Sequence, residues 1–572
     1  MFDLANDRIG YSELLRPELG YSLDFAVGMT YSLDLEALLG VPVSLGLLDE
    51  GDEIDLSSQL YVLEAIRKSS ERIALFCNAG SIQLPGRIQS VYSLLENSVF
   101  QIKTAQKGNF HPKIWVLKYS QTGSPSYIKF LVMSRNLTFD SSIDICAALQ
   151  GEIGTEESEK NRPLSDFLSF AARYAGRKKQ QVLSLAEDVL KVSAFQVEDP
   201  FVDYDFFPIG IPGYAGADVP LFGQKNDLVA VSPFLSDETI QKLTKFKGPR
   251  SIITRKNAVT PAVFSAFDHV YVTKDALSDN EFGSVQDIHA KVYYTTTLHG
   301  NYLYLGSANA SHNAFHKNVE CLLRLTYKLY GMGYKKFCGD FIPPANCPYE
   351  ELTELPETQT EDLQKKEVDK ALREAVYALK RASAAEEGDR YSVVLEAKPL
   401  KAQERIMISP LQKRSMKQPL ETKTCFSGLL LRELSEFYIL SVEEQGKEVQ
   451  AVIVKVRTDG IPKERDQEIY RSIIDTNPKF MRYLSFMLSG AISGELGDTD
   501  AFQNGELHTD AMSAGIAALD PVYEQMLRVF HQNPAKLKGI SDMIRRLDPS
   551  VVGDSFREMF QQFETAAKKV HK

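Results

Sequence analysis

The chain alternates short apolar runs with amphipathic helical patterns twice over, then passes into a β-rich segment and a helical tail. In the first stretch, SQLYVLEAIRKSS keeps a helical apolar period and leads into ERIALFC (71–77), a short strand. IWVLKY (114–119) and IKFLVM (128–133) are β-like runs separated by the turn-rich QTGSPS, and DICAAL (144–149) is a further strand candidate. LSDFLSFAARYAGR and QQVLSLAEDVLKVSAF return to helical spacing. The segment 195–225, rich in Pro, Gly and aromatics, reads as a connection.

The pattern then starts again. LVAVSPF (228–234) and SIITR (251–255) predict strands, with ETIQKLTKF helical between them. KVYYTTT (291–297) and YLYLGS (302–307) make a β-pair around LHGN, and VECLLRL (319–325) is a last strand. This is an internal repeat of about one domain length, not a short-period solenoid. After an acidic boundary, ELTELPETQTEDLQ (351–364), KKEVDKALREAVYALKRASAA predicts a long helix. YSVVLEA, RIMIS, FYILSVEE and VQAVIVKVRT predict strands, with EEQGKE as a hairpin turn. IYRSIID, FMRYLSFMLSG and DPVYEQMLRVFHQNPAKLKGISDMIRRL read as helical, the last two separated by the Gly/Asp/Asn-rich 494–506. The resulting division is 1–195 and 196–350 as two related lobes, 351–385 as linker and helix, 386–490 as an α+β accessory domain, and 491–572 as linker and helical domain.

Composition changes this picture little. At 572 residues, with 44% hydrophobic and 25% charged residues, the chain is long enough for about three to four globular domains. A net charge of -11 argues against a surface positive all over, but not against a local basic cleft. The six cysteines form no CxxC pair and no zinc-finger spacing, which predicts reduced thiols. No basic stretch followed by an apolar run opens the chain, and no run of 18 apolar residues occurs. The expectation is a cytoplasmic protein without a membrane anchor. Trp115, the only tryptophan, is expected in the core.

The chemistry lies among the nine histidines. His111 and His289 each precede a lysine by two positions, in HPK (111–113) and HAK (289–291). Each pair leads through two β-like runs to Ser-x-Asn: Ser134 and Asn136 in MSRNLT, Ser307 and Asn309 in GSANAS. An acid opens the next predicted strand in both, Asp144 and Glu320. In a strand, residues two apart point to the same side, so each motif aims an imidazole and an ammonium at one place. The hairpin that follows returns Ser-x-Asn beside them. Two such sets suit phosphoryl transfer: Lys113, Lys291, Asn136 and Asn309 neutralise phosphate oxygens, one histidine attacks phosphorus, and the other protonates the leaving oxygen. Asp144 and Glu320 can hold the ring tautomers. Ser134, Ser307, Arg135 and Arg255 are candidate phosphate contacts, with Lys256 beside Arg255. His312 and His316 flank the second motif and read as bystanders.

Over roughly residues 20–345 the two halves resemble the paired HKD motifs of the phospholipase D superfamily, with GSANAS and the downstream NVE as the most specific part. The superfamily pattern usually has an Asp five residues after the lysine. Here those positions are Lys118 and Thr296. This shortened form is similar to that of tyrosyl-DNA phosphodiesterase. The resemblance implies an α/β fold of two pseudo-symmetric lobes, each a mixed sheet flanked by helices. It implies His111 as nucleophile through a phosphohistidine, His289 as general acid, and no metal or other cofactor. It also implies a nuclease acting on nucleic acid, most readily DNA, of the kind found in bacterial anti-phage defence and restriction systems, with a helicase or ATPase as partner. A phospholipid-hydrolysing or phosphatidyl-transferring enzyme and a non-catalytic nucleic-acid scaffold are the competing readings.

Overall fold

The computed structural model describes residues 11–45, 59–104, 108–138, 144–274, 288–328, 332–342, 347–356, 363–400, 405–489, 526–527, 540–541 and 543–570. The Gly/Asp/Asn-rich stretch 494–506 and most of the helical reading that follows it lie outside these residues.

The first sheet contains β1 (Ser22–Thr30), β2 (Ile73–Asn78) and, after the two-residue β3 (Ile82–Gln83), β4 (Val99–Ile102). It continues with β5 (Ile114–Gln121), β6 (Ser124–Met133) and β7 (Cys146–Glu152), in the order β4-β2-β1-β5-β6-β7. β4, β2 and β1 run parallel, and β5, β6 and β7 form an antiparallel meander from β1.

The second sheet contains β8 (Phe201–Ile209), β9 (Asp227–Val231), β10 (Arg250–Thr254), β11 (His269–Thr273), β12 (Val292–Thr296), β13 (Asn301–Gly306), β14 (Glu320–Tyr327) and β15 (Tyr349–Glu351). Its order is β15-β11-β10-β9-β12-β13-β14-β8. Six of its strands, β11-β10-β9-β12-β13-β14, have the same order and directions as the first sheet. Both sheets are mixed and flanked by helices.

The two sheets share one apolar core. Phe130 and Val132 of the first pack with Phe206, Tyr294 and Leu305 of the second, and the Phe130 and Phe206 rings meet edge-to-face at 4.9 Å. Burial of this many aromatic and branched side chains, at roughly 1.5–3 kcal/mol each, binds the sheets together. A parallel bridge between Phe110 and Val319 joins the halves directly: Val319 N donates to Asn109 O at 2.9 Å and His111 N donates to Val319 O at 2.8 Å. Gly108 is required at this crossing, since a Cβ there would lie 1.7 Å from the Lys317 carbonyl oxygen.

Beyond the second sheet lie β16 (Leu379–Glu387), β17 (Arg390–Ala397), β18 (Ile406–Pro410), β19 (Gln418–Pro419), β20 (Lys423–Leu429), β21 (Phe437–Glu444), β22 (Lys447–Lys455) and β23 (Thr458–Asp459). They form a four-stranded sheet, β20-β17-β16-β23, and a five-stranded one, β19-β18-β21-β22-β3. The last strand of that second sheet is lent by the N-terminal half, with Ile82 opposite Ile453. The expected EEQGKE hairpin joins β21 to β22, with Gln445 and Gly446 both at positive φ (51° and 75°), as a tight primed turn requires. A second core mixes Leu23, Val62 and Trp115 with Ile439, Phe480, Tyr483 and Phe556. Two buried carboxylates reinforce this contact. Glu96 accepts from Glu436 N (2.7 Å) and from Arg465 Nη2 (3.1 Å), and Tyr483 Oη donates to Glu64 at 2.6 Å.

Three elements differ from the sequence expectation. The presumed connection 195–225 contains β8, an edge strand paired along β14. Its proline, Pro208, is tolerated because an edge strand has one unpaired side. The long predicted helix stops at Ala378 and the chain turns into β16. LKRASAAEE has residues of high helix propensity, but pairing with β17 overrides that preference. Finally, β7 starts at Cys146, so Asp144 lies just before its strand, whereas Glu320 opens β14 as expected.

Candidate active site

Each His-x-Lys segment enters its sheet one residue before the first paired position of the meander. Ile114 pairs with Val132, and Val292 pairs with Leu305. The lysine carbonyls are then held by the returning strand, Met133 N to Lys113 O (3.0 Å) and Gly306 N to Lys291 O (3.3 Å). Both lysines are buried. Lys113 Nζ donates to His111 O at 3.0 Å and lies 3.2 and 3.3 Å from the two ring nitrogens of His111, while Lys291 Nζ donates to His289 O.

One of the acids crosses between the halves. Glu320, from the second half, sits 3.0 Å from Nδ1 of His111, in the first. Glu320 is completely buried, and its other oxygen accepts from Asn318 Nδ2 at 2.9 Å. Asn318 is fixed in turn by Asn109 N, which donates to its Oδ1 at 2.9 Å. Asp144 accepts from the Ser134 hydroxyl and interacts electrostatically with Lys291 and Arg135.

Burial pushes the His111 imidazole below its ordinary value, with Glu320 opposing and Lys113 assisting the shift. Burial likewise pushes Lys113 down to about 8, against the pull of Glu320 and Asp144. Lys291 is held well below the usual lysine range by burial and by the neighbouring Lys113. Asp144 is raised by burial, with its Ser134 hydrogen bond opposing. These groups form one electrostatic cluster: two buried lysines, a carboxylate-held imidazole and two acids, drawn from both halves.

Of the remaining predicted residues, Ser134 and Arg135 interact with Asp144, and Arg255 with Lys291. Ser134 and Ser307 occupy matching positions. Ser134 Oγ accepts from Ile145 N (3.1 Å) and Ser307 Oγ from Cys321 N (3.0 Å), so each hydroxyl ties its loop to the next strand. Asn136 Oδ1 accepts from Ser32 N at 3.4 Å. Asn309 is buried, and its Oδ1 accepts no hydrogen bond among the described residues. Arg255 stacks over the Phe234 ring at 4.6 Å, reaches the carbonyl of Ile288 at 3.5 Å, and interacts with Lys291. Arg135 turns to the Thr138 carbonyl at 3.1 Å. Trp115 is in the core as expected.

Sequence reasoning did not single out Tyr31 or Asn318. The Tyr31 ring stands 4.9 Å from the His111 ring and 6.0 Å from Lys113 Nζ. Nothing in the sequence marks it among the 25 tyrosines. Asn318 was legible in principle, as the Asn of NVE two residues before Glu320.

Several solved structures align with part of the chain. Yeast tyrosyl-DNA phosphodiesterase aligns with a TM-score of 0.36 and 14% identity over 57% of this chain and 87% of its own. Polyphosphate kinase from Porphyromonas gingivalis aligns with a TM-score of 0.30 and 10% identity over 53% of this chain and 40% of its own. NucT from Helicobacter pylori aligns with a TM-score of 0.17 and 19% identity over 22% of this chain and 84% of its own. No family profile matches the chain. No curated protein matches it either. Among the described residues, no helix is long and apolar enough to cross a membrane.

Proposed function

We propose that the chain is a phosphodiesterase that cleaves nucleic acid, most simply DNA, without a metal ion, through a phosphohistidine at a site built by two pseudo-symmetric lobes. The observation that carries this reading is the imidazole of His111 clasped at Nδ1 by the buried Glu320, with the Lys113 ammonium alongside. A carboxylate at Nδ1 fixes the tautomer with the proton there and leaves a lone pair on Nε2. Nε2 attacks phosphorus, and the P–O bond to the leaving group breaks. His289 gives its proton to that oxygen. It then takes a proton from a water, which attacks the phosphorus and releases His111. Lys113, Lys291 and Asn309 spread the charge that accumulates on the non-bridging oxygens. Lys113, with Lys291 beside it, supplies the positive potential that a chain of net charge -11 needs locally to hold a phosphodiester.

The test is a panel of labelled single- and double-stranded DNA, RNA and phosphatidylcholine in excess EDTA, with wild type against His111→Ala and His289→Ala. Cleavage of nucleic acid that persists in EDTA and is lost in both variants supports the proposal. Cleavage only on addition of magnesium, or turnover of the lipid alone, overturns it. Acid-labile, alkali-stable label on the wild-type chain, absent in His111→Ala, would identify the intermediate.

A further inference from the structure

A second cluster of chemistry-bearing side chains lies outside the catalytic constellation. His312 and His316 stand one turn apart on the short helix His312–His316, with ring centroids 4.6 Å apart. Glu238, on the helix Asp237–Leu243, reaches His312 Nδ1 at 2.9 Å. One ligand atom from each of the three residues lies within 4.8 Å of the others. We propose that Glu238, His312 and His316 form a binding site for a divalent transition cation of the zinc class, which clamps these two helices together.

Two imidazoles and one carboxylate are borderline ligands suited to Zn(II), Co(II) or Ni(II), not to the hard cations Mg(II) and Ca(II). Histidines four apart on one helix face converge on a single point. Ligands on a tetrahedral zinc stand about 3.3 Å apart for metal–ligand distances of about 2.0 Å, so modest rotations of exposed side chains close the set, with water as fourth ligand. The backbones are already fixed for this. Ser311 Oγ caps the histidine helix by accepting from Ala314 N (3.4 Å), and His312 N donates to Ser236 Oγ at 2.8 Å, immediately before the Glu238 helix.

Lys242 already places a cation here. Its Nζ lies 2.8 Å from Glu238 and 3.5 Å from His316 Nε2. A metal must displace this half-exposed ammonium, so Lys242 is a built-in competitor. The histidine helix follows Asn309 by three residues, and Ala310 pairs with Leu235 on the Glu238 side. The clamp would therefore stiffen the loop that carries Asn309 without taking part in the chemistry.

The full chain, stripped with EDTA and desalted, is titrated with Co(II) by visible absorption and with Zn(II) by calorimetry and thermal melting. One saturable equivalent is expected, with a raised melting temperature in Zn(II). Lys242→Ala should bind several-fold more tightly, and the His312→Ala/His316→Ala double variant should lose the equivalent. Absence of saturable uptake, uptake undiminished in the double variant, or weaker binding in Lys242→Ala overturns the proposal. If the double variant fails to fold by circular dichroism, Glu238→Gln, an exposed substitution, provides the same comparison.

Discussion

Glu320 of the second half lies 3.0 Å from Nδ1 of His111 in the first, so the nucleophile candidate of one repeat is oriented by the acid of the other. Replacing Glu320 by Gln keeps the shape but removes the charge that fixes the tautomer. We expect kcat to fall by about 10²- to 10⁴-fold, the range for a positioned acid–base partner, with KM nearly unchanged. Steady-state kinetics on a DNA diester checks this, and a kcat within a few-fold of wild type would remove Glu320 from the mechanism.

Lys113 sets an alkaline limit. Its ammonium is pushed down to about 8 by burial, so it is charged below that pH and neutral above it. His111 is also pushed down, so its neutral, attacking form persists into mildly acid solution. The sign follows: kcat/KM should rise on the acid side as His111 becomes neutral, and be falling by pH ~8 as Lys113, together with the likewise lowered Lys291, loses its charge and phosphate attraction is lost. A profile still rising at pH 9 would contradict it.

Ser134 and Ser307 are expected to behave as loop ties. Each hydroxyl satisfies the backbone N–H of the next strand, Ile145 or Cys321. Ser307→Ala takes this partner from Cys321 N, a loss of about 1–3 kcal/mol, whereas in Ser134→Ala the Ile145 N–H keeps Asp144 Oδ1 at 3.0 Å and the loss is smaller. Chemical denaturation should show that loss, while kcat stays within a few-fold. A large drop in kcat at unchanged stability would instead mark the hydroxyl as a substrate contact.

Glu96 and Arg465 test how the C-terminal elements are attached. Both are buried, and the guanidinium meets the carboxylate at 3.1 Å. Glu96→Ala breaks the buried pair but leaves Arg465 its second partner, Asp466 at 2.8 Å, so the loss should not exceed the about 3–5 kcal/mol of a fully broken buried pair. We expect a lower melting temperature with a single cooperative transition. Two separated transitions would show that the C-terminal elements unfold on their own.

Much of the candidate site was legible in the sequence because strand geometry is simple. The period of two puts His111 and Lys113 on one side, and a short hairpin brings Ser134 and Asn136 back. The two repeats could be read the same way. What stayed hidden depends on packing between distant segments. Spacing names Glu320 as an acid but does not say that it serves His111, since that follows from the Phe110–Val319 crossing. Tyr31 is one tyrosine among many until β1 sets it against His111. The strand Leu379–Glu387 is written in helix-forming residues, and only its partner strand reveals it.

The crossed acid also bears on what a single repeat could do alone. A half-length chain carrying only residues up to about 195 would hold His111 and Lys113 but not the carboxylate at Nδ1, because that group belongs to Glu320. An isolated half could complete its histidine only by borrowing an acid from a second copy. In this respect the tandem arrangement resembles a dimer whose subunits have been joined end to end, and damage around Glu320 in the second half reaches His111 in the first.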